Sequence, residues 1–247
     1  MLSRHEFRDA LHLRYDLPID DLPVSCSCKN QAQFTKPHAL SCNQGGWVES
    51  MHNSVRDVLT DSLNLFAHAF REPCLHPVSE ADAFKYKTTM TDPNARSDIV
   101  VIEGLFGEFR QTYIDVQGAC RLSPTSMAKS VNAVLQDAGR SKIRQYGQRI
   151  KQVEHGDFIP FTFTSSGHLG APSHDLLRVM ASNIAHKFGV NFHQSLTLLR
   201  LRVNFAILKG ALRCLRAPRS RPKPFGQFWA MSPAAIRALT RVSMRED

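Results

Sequence analysis

The sequence predicts an α/β protein: a small mixed β-sheet flanked by helices, with a cysteine- and histidine-bearing module ahead of it and a basic helical region behind it. Three observations predict this. The hydrophobic period changes from a helical spacing over residues 47–70 to alternation and short β-rich runs over 84–117, and returns to a helical spacing from residue 123. Cys26, Cys28 and Cys42 crowd into one segment with His38. From Leu176 to Arg245 there are 13 Lys or Arg and no Asp or Glu, which leaves 18 bases against 22 acids elsewhere. A chain of 247 residues that is 43% hydrophobic suffices for one sizeable core, or one core with a small satellite. The expected divisions are an N-terminal helix and metal module over 1–46, the α/β core over 47–190, a basic amphipathic helix packed on it over 191–217, and a basic linker and tail over 218–247.

Composition also excludes classes. The longest apolar runs, 99–102 and 205–208, are far shorter than the roughly 20 residues a membrane-spanning helix needs. The first residues, Met1, Leu2, Ser3, Arg4 and His5, lack the unbroken apolar stretch of a secretory signal. The expectation is a protein inside the cell, nuclear or cytoplasmic, with reduced thiols. Net charge is +9, and its one-sided location suits a polyanion such as nucleic acid, because each neutralised phosphate releases counterions. An anionic membrane surface also fits the charge, and a solvated face is the bland alternative.

In the N-terminal module, CSCKNQAQFTKPHALSC carries Cys26, Cys28, His38 and Cys42. Zinc takes about four such donors in a tetrahedron, and a helix begun after Pro37 sets His38 and Cys42 on one face. A single residue between Cys26 and Cys28 is an unusual spacing for a zinc knuckle. Buried free thiols with a capping histidine are the competing reading, and His52 is an alternative ligand. Next, Val55, Val58, Leu59, Leu63, Phe66 and Phe70 recur at three and four, which predicts an amphipathic helix from Trp47 to Phe70, stopped by Glu72 and Pro73.

The period then changes. Phe84, Tyr86 and Thr88 alternate, 97–102 is β-rich, and 109–117 is a further strand candidate, with Gly104 and Gly107 between the last two as a hairpin requires. These strands carry Asp98, Asp115 and Gln117. Two carboxylates on adjacent strands can converge on one magnesium or manganese ion, which can activate water for phosphodiester hydrolysis. Surface carboxylates flanking a sheet are the competing reading. Asp115 lies between Ile114 and Val116 in an apolar strand, where a charge needs a partner.

Residues 123–153 read as a helix with Ser123 as N-cap and Pro124 in its first turn, 158–164 as a strand, and 175–188 as a helix. The turn at 165–170 lacks the Lys-Ser/Thr pair of a phosphate loop, so His168 reads as a turn residue. Over 196–215, Leu201, Phe205, Leu208, Leu212 and Leu215 predict a buried stripe, and Arg202, Lys209, Arg213 and Arg216 a cationic one about 100° away. That second stripe is the candidate nucleic-acid contact.

The segments LRYDLPIDDLPVSCSC, HALSCNQGG, MHNSVRD, ARSDI, YIDVQ, a Lys/Arg-rich helix ending in Tyr146, and FIPFTFTSSGHLG follow one another in this order. The series resembles the nuclease-like region that follows reverse transcriptase in many eukaryotic retroelement polyproteins, itself similar to the PD-(D/E)XK endonuclease superfamily. The resemblance covers roughly residues 11–219. It implies a restriction-endonuclease-like fold and a metal-dependent DNA endonuclease. Asp98 and Asp115 match the two metal carboxylates, and Gln117 stands where the superfamily has its lysine. Some branches move that base to the following helix, where Lys142, or Lys129, would serve beside Gln145 and Tyr146. Glu49 and Asp57 are the candidates for a carboxylate on the preceding helix, since His52, Asn53, Ser54 replaces His-Asn-Glu. A catalytically inactive zinc-containing nucleic-acid-binding module is the alternative, and an interaction domain for an acidic protein a third reading.

Overall fold

A computed structural model describes residues 2–78, 92, 94–106, 110–120, 123 and 126–218. The fold is α/β, with a small mixed four-stranded sheet flanked by helices. Helix α1 (Arg4–Arg14) opens with a reciprocal cap: Glu6 N donates to Ser3 Oγ, and Ser3 N to Glu6 Oε2. The short α2 (Lys36–Ala39) follows with Thr35 as its N-cap, then α3 (Trp47–Leu63). Strands β1 (Ala69–Arg71), β2 (Ile99–Val101), β3 (Thr112–Ala119) and β4 (Asp157–Thr164) lie in spatial order 1-2-3-4. The first three pair antiparallel, and β3 with β4 is parallel.

A parallel pair needs a crossover. Helix α4 (Val131–Lys142) supplies it and runs on through π-helical turns at Ile143–Gly147 and Ile150–Glu154. Helices α5 (Ala171–Phe188) and α6 (Phe192–Arg216) complete the chain as far as it is described. Strand alternation sends Ile99, Val101, Ile114, Val116, Phe161 and Phe163 into the main core, shared with α3, α5 and α6. Val100 and Tyr113 emerge opposite and pack with Tyr146 and Ile150 of the crossover. Asp115 and Gln117 alternate in phase with Tyr113, so the crossover helix covers the carboxylate-bearing face.

Arg149 is fully buried beneath this face. It donates to the carbonyls of His76 (2.7 Å) and Asp92 (3.3 Å), and thereby anchors both stems of the segment between β1 and β2. Glu154 supports the same stem by accepting from His76 N at 2.7 Å.

Several boundaries differ from the sequence expectations. The helix expected to reach Phe70 stops at Leu63, because Asn64 turns the chain: its side chain accepts from Ala69 N (2.8 Å) and donates to Ala69 O (3.1 Å), freeing 69–71 to form β1. The crossover helix begins at Val131, where Ser130 Oγ caps Ala133 N. Ser123 instead starts a turn, its carbonyl accepting from Ser126 N. The strand expected around Phe84, Tyr86 and Thr88, the glycine at 107, Pro124 and the tail from 219 lie outside the described residues.

Helix α6 buries Leu212 and Leu215 of the expected stripe, but its earlier turns face another way. Leu201 is 58% and Phe205 43% exposed, while Leu196, Leu199, Val203, Ile207, Gly210 and Cys214 face the core. The buried face runs through Leu199, Val203 and Ile207, and a glycine meets α3 at its closest approach. A Cβ on Gly210 would lie 2.4 Å from Met51 Cγ and 3.0 Å from Met51 Cα, so backbone as well as side chain would have to yield. Gly210→Ala is therefore expected to destabilise by about 1–3 kcal/mol despite alanine's better helix propensity, read as a lower urea midpoint at unchanged slope. An unchanged or raised midpoint would show that α3 and α6 are not in this contact.

Candidate functional site

The N-terminal cluster is built by two short turns. Residues 24–34 form a tight hairpin, in which Cys26 N donates to Ala32 O, Gln31 N to Cys28 O and Phe34 N to Val24 O. The single-residue spacing puts Cys26 and Cys28 on one side of this hairpin, as i and i+2 of extended backbone do. The α2 turn supplies the other pair, with Cys42 N donating to His38 O at 2.8 Å. The four donor atoms of Cys26, Cys28, His38 and Cys42 lie within 4.8 Å of one another. Cys26 Sγ and Cys42 Sγ are 3.9 Å apart, and Cys28 Sγ and His38 Nε2 3.7 Å. Zinc bonds of about 2.3 Å to sulfur and 2.0 Å to nitrogen give tetrahedral edges of about 3.5–3.8 Å, so the cluster can hold a metal ion such as zinc.

Local amides support the thiolate form. Backbone N–H groups of Ala32 and Asn30 aim at Cys28 and, against a smaller burial effect, hold its thiol below its ordinary value. Burial pushes Cys26 up. Behind the cluster, Cys26, Phe34 and Ala39 pack on Leu215, which joins the module to the end of α6. His52, the alternative zinc ligand, is not in this cluster.

The second constellation forms where β2 and β3 meet α3 and α4. Asp98 immediately precedes β2, and its Oδ2 accepts from Val116 N at 2.7 Å, extending the ladder by one side chain. Asp115 is 3% exposed, and Lys142 Nζ from α4 forms an ion pair with its Oδ2 at 2.7 Å. The ammonium also lies 5.4 Å from the Tyr146 ring centroid, on the cation–π side of the contact. His52, one third exposed or less on α3, brings Nε2 to 3.1 Å from Asp98 Oδ2 and 2.9 Å from the Val116 carbonyl.

These groups titrate abnormally. Burial, then the charge of Asp98, pushes Asp115 up to about 6, against the opposing pull of Lys142 and His52. Asp98 moves the other way: burial opposes its charge, but the bond to and charge of His52, the Val116 amide and Lys142 outweigh it. For His52 burial disfavours the imidazolium, and the bond to and charge of Asp98, with help from Asn53 and Asp115, raise it nonetheless. Burial, with the charges of Asp115 and Asp98, pushes the Tyr146 phenol up to about 12.

The structure thus brings Asp98, Asp115 and Lys142 together and adds His52, which the sequence offered only as an alternative zinc ligand. Gln117 shares the face of Asp115, but its Nε2 donates to the neighbouring Gly118 carbonyl at 2.7 Å. Lys129 pairs with Asp137 at 2.7 Å, away from the centre. Gln145 is half-buried on the π-helical turn. Neither helix carboxylate candidate reaches the centre: Glu49 is exposed, and Asp57 is held by Arg56 (3.0 Å) and Arg71 (3.2 Å). The signal for His52 was positional. It borders the buried Met51–Val55–Leu59 stripe of α3, so it faces the sheet.

The cationic stripe has partners within the chain. Arg202 Nη1 donates to Ser62 Oγ of α3 at 2.8 Å, and Lys209 Nζ is 3.8 Å from Glu6 of α1. Arg213 lies in the field of Glu6, and burial pushes its guanidinium below its ordinary value. Arg216 grips Asp9 through two nitrogens, at 2.6 and 3.0 Å, and also donates to Asp21 O. That grip holds Asp9 below the usual carboxylate range in spite of its burial. The acids that meet these cations come from some 200 residues upstream, which a count of charge along the C-terminal segment does not register.

No described helix is long and apolar enough to cross a membrane. No protein-family model and no curated protein matches the chain.

Proposed function

We propose that this chain is a metal-dependent DNA endonuclease-like domain of the kind that follows reverse transcriptase in retroelement polyproteins, with a restriction-endonuclease-like core and a structural zinc in its N-terminal module. One observation carries the reading: Asp98, just ahead of β2, lies near enough to Asp115 of the neighbouring β3 for its charge to raise that carboxyl, and Lys142 is paired to Asp115 at 2.7 Å. Carboxylate oxygens are the donor type that a hard divalent ion prefers, and Asp98 and Asp115 supply two of them at the end of β2 and on β3. Magnesium or manganese held by Asp98 and Asp115 would supply Lewis acidity and an activated water. Lys142, kept beside Asp115 by the ion pair, would then meet the charge developing on the scissile phosphate, the role that Gln117 lacks the charge to perform. DNA is the partner assigned, on the net charge of +9 and the retroelement resemblance, and the work would be done inside the cell.

The second reading is a zinc-containing module that binds nucleic acid without cutting it. The turning of Gln117 onto Gly118 favours it, because that side chain then orients no water. Supercoiled plasmid separates the two. The endonuclease reading expects conversion to nicked circles with magnesium or manganese and none with a chelator. Binding without nicking in either metal would reject it in favour of the binding module.

A further inference from the structure

Strand β2 begins at Ile99, which pairs with Ile114, so the ladder between β2 and β3 stops short of Val116 and the backbone groups of that residue need other partners. Two side chains provide them. Asp98 Oδ2 accepts from Val116 N at 2.7 Å, and the Nε2–H of His52 on α3 donates to Val116 O at 2.9 Å. The same His52 nitrogen is 3.1 Å from Asp98 Oδ2, so the imidazole, the carboxylate and the Val116 backbone close a triangle of hydrogen bonds. The imidazole is braced in turn, with its Nδ1 3.2 Å from Asn53 Oδ1. Both bonds to Asp98 fall on Oδ2.

We propose that His52 is a positioning residue for Asp98: it holds Oδ2 against the β3 backbone and so leaves Oδ1 as the oxygen that Asp98 offers to a divalent ion. Asp115 is arranged alike, since its Oδ2 is paired with Lys142 at 2.7 Å. A carboxylate free to turn about its terminal torsion gives up that freedom when it binds an ion, whereas one already held by two donors has little left to lose. Outer partners that orient a ligand in this way typically contribute about 10–100-fold to metal affinity. His52 does this without touching the ion, because its Nε2 proton lies between two oxygens. A histidine that only satisfied the Val116 carbonyl would support folding and leave ion affinity unchanged.

The inference rests on the reading of Asp98 and Asp115 as a metal centre, and the test separates the two. Manganese(II) is titrated into zinc-replete protein at fixed pH, and its binding is followed by electron paramagnetic resonance. His52→Leu, which has no donor, is expected to bind manganese about tenfold or more weakly than the parent, and His52→Gln, whose amide N–H restores a donor, within about threefold of it. DNA affinity measured without divalent ions should be the same in all three. Equal manganese affinity in the parent and in folded His52→Leu overturns the role of His52, whatever happens to the thermal midpoint, and so does a loss that glutamine does not relieve. If His52→Leu does not fold, Asn53→Ala keeps the imidazole and removes its brace; a weakening of about threefold is expected there, and unchanged affinity overturns the role as well. In each of these cases manganese binding that is lost in Asp98→Ala leaves the carboxylate centre standing. A parent that binds no manganese, or Asp98→Ala that binds it as tightly as the parent, overturns the centre and the inference together.

Discussion

Replacing Cys42 by alanine is expected to strip the metal from the N-terminal module and unfold most of residues 16–46. The parent should carry about one tightly held zinc per chain, and Cys42→Ala less than a tenth of that by metal analysis. The effect is large because little else holds this stretch: a four-residue helix, a tight hairpin and the small cluster around Phe34 and Leu215. In isolated zinc fingers the metal contributes about 10–16 kcal/mol, all of it folding free energy. Fast amide exchange over 24–42 in the variant, with α3 to α6 still protected, is the expected pattern. Because Cys26, Phe34 and Ala39 pack on Leu215, the last turn of α6 should loosen too. A variant that kept its zinc would exclude this ligand set.

Asp115→Asn is expected to abolish divalent-dependent cleavage and yet stabilise the metal-free protein at neutral pH. Burial and the charge of Asp98 push the Asp115 carboxyl up to about 6 from 3.8. The folded state therefore holds this proton over a range where the unfolded chain has lost it. By linkage, the contribution of this group to stability falls as pH rises from about 4 through about 6, and is constant above. Asparagine keeps the shape and does not ionise. The thermal midpoint of Asp115→Asn, measured against the parent with chelator present, should gain steadily over that window and then level off. Lys142 loses its partner in both the variant and the protonated parent, so it does not mask the trend. A gap between the two proteins that did not change with pH would mean Asp115 is not held protonated by its surroundings.

The sequence made the sheet, the cysteine and histidine cluster and the Asp98–Asp115 pair legible because each rests on local pattern. Alternation in 109–117 and 158–164 is a period-2 signal that survives in β3 and β4, and the cysteine spacing needs only two tight turns to close. What failed depended on distant contacts. The expected stripe of α6 holds at Leu212 and Leu215 and fails at Leu201 and Phe205, where Val203 and Ile207 face the core in their place. The ion pairs of the cationic stripe were not legible because the counter-charges, Glu6 and Asp9, come from the opposite end of the chain. The end of α3 was missed by two turns because one asparagine, bonding both sides of Ala69, outweighs the helical period of Phe66 and Phe70. His52, weighed as an alternative zinc ligand because it follows Cys42 closely in sequence, is carried by its face of α3 to Asp98 instead.

The central claim is that Asp98, Asp115 and Lys142 form one cutting centre, and single-turnover cleavage of a DNA duplex at saturating protein tests it most directly. With magnesium or manganese, Asp98→Ala, Asp115→Asn and Lys142→Met are each expected to slow cleavage by about a thousandfold or more, the equivalent of the several kcal/mol that a metal and a positioned cation supply to a phosphoryl transition state, with DNA affinity changed less than about threefold. Rates in the two carboxylate variants equal to the parent's would contradict the account outright.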